Sequence, residues 1–69
     1  MTKEIKLKTV FIKLDQLLKF AGIAQTGGHA KDLILEGCVM VNGEICTQRG
    51  KKIYTGYIVE TDQDKLIIQ

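Results

Sequence analysis

Gly37-Cys38-Val39-Met40-Val41-Asn42-Gly43-Glu44-Ile45, residues 37–45, decides how this chain folds. Ahead of Gly37 the apolar residues recur at helical spacing; behind it they alternate. Val39 and Val41 flank Met40, a period of two, and Asn42-Gly43 follows at once. That dipeptide tolerates positive φ at both places a two-residue type I′ turn requires, so it predicts a tight hairpin returning near Glu44-Ile45. In that register Val41 faces Glu44, Val39 faces Cys46 and Cys38 faces Thr47. Cys38 and Cys46 then point to opposite faces of the ribbon, which argues against a disulfide or a shared metal ion.

Upstream, Ala30, Leu33 and Ile34 form the apolar stripe of a short helix. Thr26 stands where a hydroxyl caps the first turn, and Gly37 where a helix end favours glycine. Further back, Leu14, Leu17, Leu18 and Ala21 recur at i, i+3, i+4, i+7, with Lys13, Asp15, Gln16 and Lys19 on the other side and Gly22 as the stop. This is an amphipathic helix. Helices this short are unstable alone, so each must be held by packing. Residues 4–8 alternate Ile5 and Leu7 with Glu4, Lys6 and Lys8, the pattern of a strand with one wet face.

Downstream, Gln48-Arg49-Gly50-Lys51-Lys52 and Tyr54-Thr55-Gly56-Tyr57 read as turns. Ile58–Thr61 and Lys65–Ile68 read as strands joined across Asp62-Gln63-Asp64. The expected architecture is α+β, two short helices packed on a small, largely antiparallel sheet.

A chain of 69 residues holds one domain with a small core. A cleft enclosing a sizeable ligand would consume much of that core, which disfavours an enzyme. No nucleophile pair, metal-ligand cluster or cofactor loop is legible, so neither catalytic residues, a metal nor a cofactor is expected. The N-terminus has no continuous apolar run, so neither a signal peptide nor a membrane span is expected there, and the cytoplasm is the default location. Two cysteines are too few for a disulfide framework. The net charge of +2 hides an asymmetry, because residues 1–59 hold nine bases against five acids. A positive excess on the body of the fold permits a polyanion-binding face.

The residues Lys13-Leu14-Asp15, Leu18, Gly22, Thr26, Ala30-Lys31, Ile34, Gly37 and Val39-Met40-Val41-Asn42-Gly43 carry a resemblance. In this order and spacing, over roughly residues 12–61, the chain resembles the RNA-binding domain named after ribosomal small-subunit protein four, the S-four domain. The N-terminal extension and the run from Asn42-Gly43-Glu44 to Arg49-Gly50-Lys51-Lys52 look like its stand-alone YaaA-type members. The resemblance implies the alpha-L RNA-binding motif in a single domain, residues 1–69, with a core at 12–61 and a strand extension at 1–11. It implies non-enzymatic binding of structured RNA, ribosomal RNA or a ribosome assembly intermediate. DNA is not an expected partner, and a monomer is expected. The chain departs from the family pattern at Gly27, where an Arg follows the capping residue, at Lys31, which replaces a second Arg, and at Tyr57, where an Asp commonly follows glycine.

The candidate RNA-binding residues are Lys13 at the first helix start, Thr26, Gly27, Gly28, His29 and Lys31 at the second, and Arg49, Lys51 and Lys52 in the loop beyond the hairpin. Side by side, they would present cations and a helix dipole to a run of phosphates, an arrangement suited to folded RNA. Each has a plainer reading. Thr26 is first an N-cap; Gly27 and Gly28 are either simple flexibility or an anion site; Lys13, Lys31 and the loop cations are also ordinary solvated surface. His29 has no spaced partner for proton transfer and reads as an exposed first-turn residue beside RNA. Lys19 reads as solvated, Asp15 as a local structural acid. Phe11, Phe20 and Met40 are assigned to structure. Bases stack on tyrosines, yet Tyr57 reads as packing and Tyr54 stays open between the two. The competing class is a protein-interaction adaptor that uses the same fold without RNA.

Overall fold

The computed structural model describes all residues, Met1–Gln69. In chain order the elements are β1 (Thr2–Ile5), β2 (Ile12–Lys13), α1 (Leu14–Phe20), α2 (Gly27–Leu35), β3 (Met40–Val41), β4 (Glu44–Ile45), β5 (Lys52–Ile53), β6 (Ile58–Glu60) and β7 (Lys65–Ile68). Five strands form one sheet in the order β1-β7-β6-β3-β4, and β2 and β5 form a separate two-stranded ribbon. Only β1 with β7 is parallel; every other pairing is antiparallel. The fold is α+β, as the hydrophobic periods predict.

The hairpin holds the predicted register. Met40 pairs with Ile45 and Val41 with Glu44, and the Cys46 N–H donates to the Val39 carbonyl at 3.0 Å. Asn42 and Gly43 have φ of 52° and 86°, the two positive values a type I′ turn needs. Asn42 also accepts the Ile58 N–H on Oδ1 at 2.9 Å, tying the turn to β6. Both cysteines are free and half-buried.

The helices end where expected. Gly22 and Gly37 follow the C-caps with φ of 79° and 78°, and Thr26 Oγ1 accepts the His29 N–H at 3.0 Å. Leu14, Leu17 and Leu18 of α1 and Ala30 and Ile34 of α2 are buried. They lie over a sheet whose inner face is equally apolar. Val41, Val59 and Leu66 make one buried row across β3, β6 and β7, and Ile5 and Ile68 another across β1 and β7. Fully burying each such side chain contributes about 1.5–3 kcal/mol, which is how short elements of low intrinsic stability are held.

Three details depart from the sequence reading. The first strand spans Thr2–Ile5 rather than 4–8, because β7 supplies its partners there; Lys3 pairs with Leu66 and sends Nζ to the Ala21 carbonyl at the end of α1, 3.0 Å away. Beyond Ile5 only the Leu7 N–H continues the contact, to Gln69 O at 2.7 Å. The loop before Ile53 is not wholly a turn, since Lys52-Ile53 pairs with Ile12-Lys13. Phe20 is 68% exposed and no part of the core. It lies roughly 110° round the helix from the Leu14, Leu17, Leu18, Ala21 stripe, at 100° per residue.

Candidate nucleic-acid interface

The β2–β5 ribbon builds the centre of the candidate surface. Ile12 pairs with Ile53 and Lys13 with Lys52, so two lysines face each other directly across the strands. The chain then enters α1, and the loop follows it. The Leu14 N–H donates to the Lys51 carbonyl at 2.9 Å and the Asp15 N–H to the Arg49 carbonyl at 3.1 Å, while the Gln16 N–H donates to Asp15 Oδ1 at 2.8 Å. Lys13, the N-cap, makes no side-chain cap bond. The first-turn donors that a helix leaves unsatisfied are therefore met by the loop and by Asp15. α1 offers no open anion site; what stands at its start is the side chains of Lys13 and Lys52, both exposed, while exposed Lys51 lines the neighbouring groove beside the β3–β4 hairpin.

Arg49 belongs to the same cluster but is already engaged. Its guanidinium is 3.2 Å from Asp15 Oδ2, the one ion pair in the structure. Asp15 is thus a structural acid through a partner distant in sequence, which spacing did not reveal. Lys52 places Nζ 4.9 Å from the centroid of the Phe11 ring, a cation–π contact that steadies the ammonium without neutralising it.

The remaining candidates stand elsewhere. The connection to α2 is bound to the last turn of α1, with the Ile23 and Ala24 N–H groups donating to the Leu18 carbonyl at 2.9 and 3.1 Å. The connection to α2 therefore leaves from the last turn of α1 rather than from its Lys13 end. At the start of α2 Thr26 is engaged as the cap, and His29 Nδ1 accepts the Gln25 N–H at 3.3 Å. His29 also lines an open groove with Leu33, Cys38 and the Thr61–Asp64 turn. Lys31 is exposed and forms no ion pair. A Cβ at Gly27 would meet nothing within 4 Å, and one at Gly28 only Thr26 Oγ1 at 3.9 Å, so the fold itself does not require glycine at either place.

Sequence reasoning missed how the ribbon gathers its outer face. Phe11-Ile12-Lys13 and Lys52-Ile53-Tyr54 are mirror-image triplets, and antiparallel pairing brings Phe11 beside Tyr54, ring centroids 5.9 Å apart. The mirrored order was the available signal.

Two short helices on a mixed sheet, with a cationic ribbon at the first helix start, define a small domain of recognisable type. The chain matches the S4 domain family model over residues 5–69 and belongs to that family. It is 42% identical over 62 residues to the probable ribosome maturation protein RlbA of Bacillus subtilis (strain 168), an alignment covering 90% of this chain and 87% of that protein. No helix is long and apolar enough to cross a membrane.

Proposed function

We propose that this protein binds structured RNA, ribosomal RNA or a ribosome assembly intermediate, through a surface centred on Lys13, Lys51 and Lys52, and performs no catalysis on it. The observation that carries the reading is the Lys13–Lys52 pair. Like charges directly opposite on paired strands destabilise a sheet by up to about 1 kcal/mol, and no acid is ion-paired with either lysine. A phosphate chain laid across them supplies the missing counter-charge, and release of its condensed cations drives the association. Membership of the S4 domain family and likeness to a protein named for ribosome maturation support the same direction.

Lys31 and the start of α2 provide the second contact. The open space at Gly27 and Gly28 lets a phosphate approach the backbone N–H groups there. An exposed helix end contributes only about 0.3–1 kcal/mol, so the lysines dominate. Arg49 contributes field rather than a bond, its guanidinium being held by Asp15. Thr26 and His29 shape the site more than they bind. The protein acts as a monomer in the cytoplasm, on RNA rather than DNA.

A protein-interaction adaptor is the second reading, favoured by the exposure of Val10 (79%) and Phe20. Salt separates the two, because RNA binding weakens steeply as salt rises whereas an apolar interface holds. The test is co-sedimentation with ribosomal subunits across a salt series. The expected result is association at low salt and release at high salt, with Lys31→Glu plus Lys51→Glu leaving the fold intact and abolishing association. Association that survives both high salt and the double substitution favours the adaptor.

A further inference from the structure

Phe11 and Tyr54 share the outer face of the β2–β5 ribbon with Lys13 and Lys52. Side chains alternate along a strand, and Ile12 pairs with Ile53 on the inner face, where Ile53 is fully buried. The flanking positions point outward, Lys13 opposite Lys52 and Phe11 beside Tyr54, with the Lys52 ammonium reaching back to the Phe11 ring. Tyr57 backs Tyr54 edge-on at 5.8 Å and fixes its ring. Packing does not exhaust this arrangement. Tyr54 remains 37% exposed, and an open groove lined by Thr9, Val10, Phe11, Ile12, Lys13 and Gln16 runs beside the Phe11 ring.

We infer that this face is a stacking site for an unpaired nucleobase, with Lys13 and Lys52 holding the phosphates that flank it. The inference rests on the RNA reading above and narrows it to RNA with at least one nucleotide outside a helix. A base within a duplex shows only its edges in the grooves, whereas an unpaired base offers a whole π-face. A tyrosine held at one edge by a second ring is a suitable platform, because little side-chain freedom remains to be lost on binding. Both lysines lie two residues along their strands from the rings, within reach of the phosphates next to the stacked base.

The test compares a blunt RNA duplex with the same duplex carrying a short unpaired adenosine overhang, titrated into the full chain, Tyr54→Ala, Tyr54→Phe and Lys51→Ala. The full chain should prefer the overhang probe by about tenfold, the scale of one base–aromatic stack. Tyr54→Ala should bring the ratio of the two affinities close to one, and Tyr54→Phe should retain it. The chain has two tyrosines and no tryptophan. Tyrosine emission in a Tyr57→Phe background therefore reports Tyr54 alone, and should be quenched by the overhang probe. A ratio unchanged in Tyr54→Ala, or no preference in the full chain, overturns the stacking site while Lys51-dependent binding leaves the RNA reading standing. Failure to bind either probe removes the RNA reading and the stacking site together, and binding indifferent to Lys51→Ala overturns the placing of the RNA on this surface, the stacking site with it.

Discussion

Arg49 donates from both Nε and Nη2 to a single oxygen of Asp15, each at 3.2 Å, and Asp15 returns its backbone N–H to the Arg49 carbonyl at 3.1 Å. The loop after the hairpin is thereby clasped to the first turn of α1 from both side chain and backbone. The guanidinium is half exposed and the carboxylate largely covered, so the pair is worth less than a buried one. Asp15→Asn should cost about 0.5–1 kcal/mol of stability and strengthen RNA binding, because an acid leaves the cationic surface. Arg49→Ala should cost a similar amount and weaken RNA binding less than Lys51→Ala does. Thermal melts and RNA titrations of the three variants check the order.

Removing Lys13 from the Lys13–Lys52 pair should act in opposite directions on folding and binding, and removing Lys52 should not. Lys13→Ala should leave stability unchanged or raise it by a few tenths of a kcal/mol, since a like-charge cross-strand pair disappears. RNA affinity should fall in the same variant. Lys52→Ala also loses its contact with Phe11, worth about 0.5–1 kcal/mol at an exposed site, so its melting temperature should not rise. Denaturant titrations beside RNA binding curves measure both effects.

The start of α2 separates capping from phosphate contact. Thr26→Ala removes the hydroxyl that accepts the His29 N–H and should cost about 1 kcal/mol. Gly28→Ala fills open space and should stabilise the helix by up to about 0.5 kcal/mol. Where a phosphate approaches that backbone, Gly28→Ala should nevertheless bind RNA more weakly than the parent. A more stable variant with weaker binding is the expected signature, read by melting and titration on one preparation.

Asn42 combines a positive φ with a side-chain bond to β6. Asn42→Gly keeps the turn and loses only the bond to the Ile58 N–H, about 1 kcal/mol. Asn42→Ala adds the left-handed strain and should cost about 2 kcal/mol. Equal losses in urea unfolding of the two variants would show that conformation contributes nothing there.

The sequence read most clearly where a period met a punctuating residue. Asn42-Gly43 set the hairpin register, and the stripe from Leu14 to Ala21 closed by Gly22 set α1. Local information was enough in both cases. The β2–β5 ribbon was illegible for the opposite reason: strands of two residues are too short to show a period, and partners forty residues apart must be brought together by the rest of the fold. Edge strand β1 was displaced because Thr2, Lys3 and Glu4 carry little apolar signal of their own and take their register from β7. The candidate site divides the same way. The cations were visible as a list, but not that Arg49 is held by Asp15, that Lys13 opposes Lys52, or that the α2 start lies at the other end of α1.

Salt dependence of RNA binding tests the central claim most directly. The logarithm of the affinity of the full chain for a structured RNA, plotted against the logarithm of salt concentration, should fall steeply. In Lys13→Ala, Lys51→Ala, Lys52→Ala combined, the slope should be shallower by about two to three, close to one for each lost phosphate contact. A slope identical in the two proteins would mean that these lysines meet no phosphate, and the ribbon would not be the binding surface.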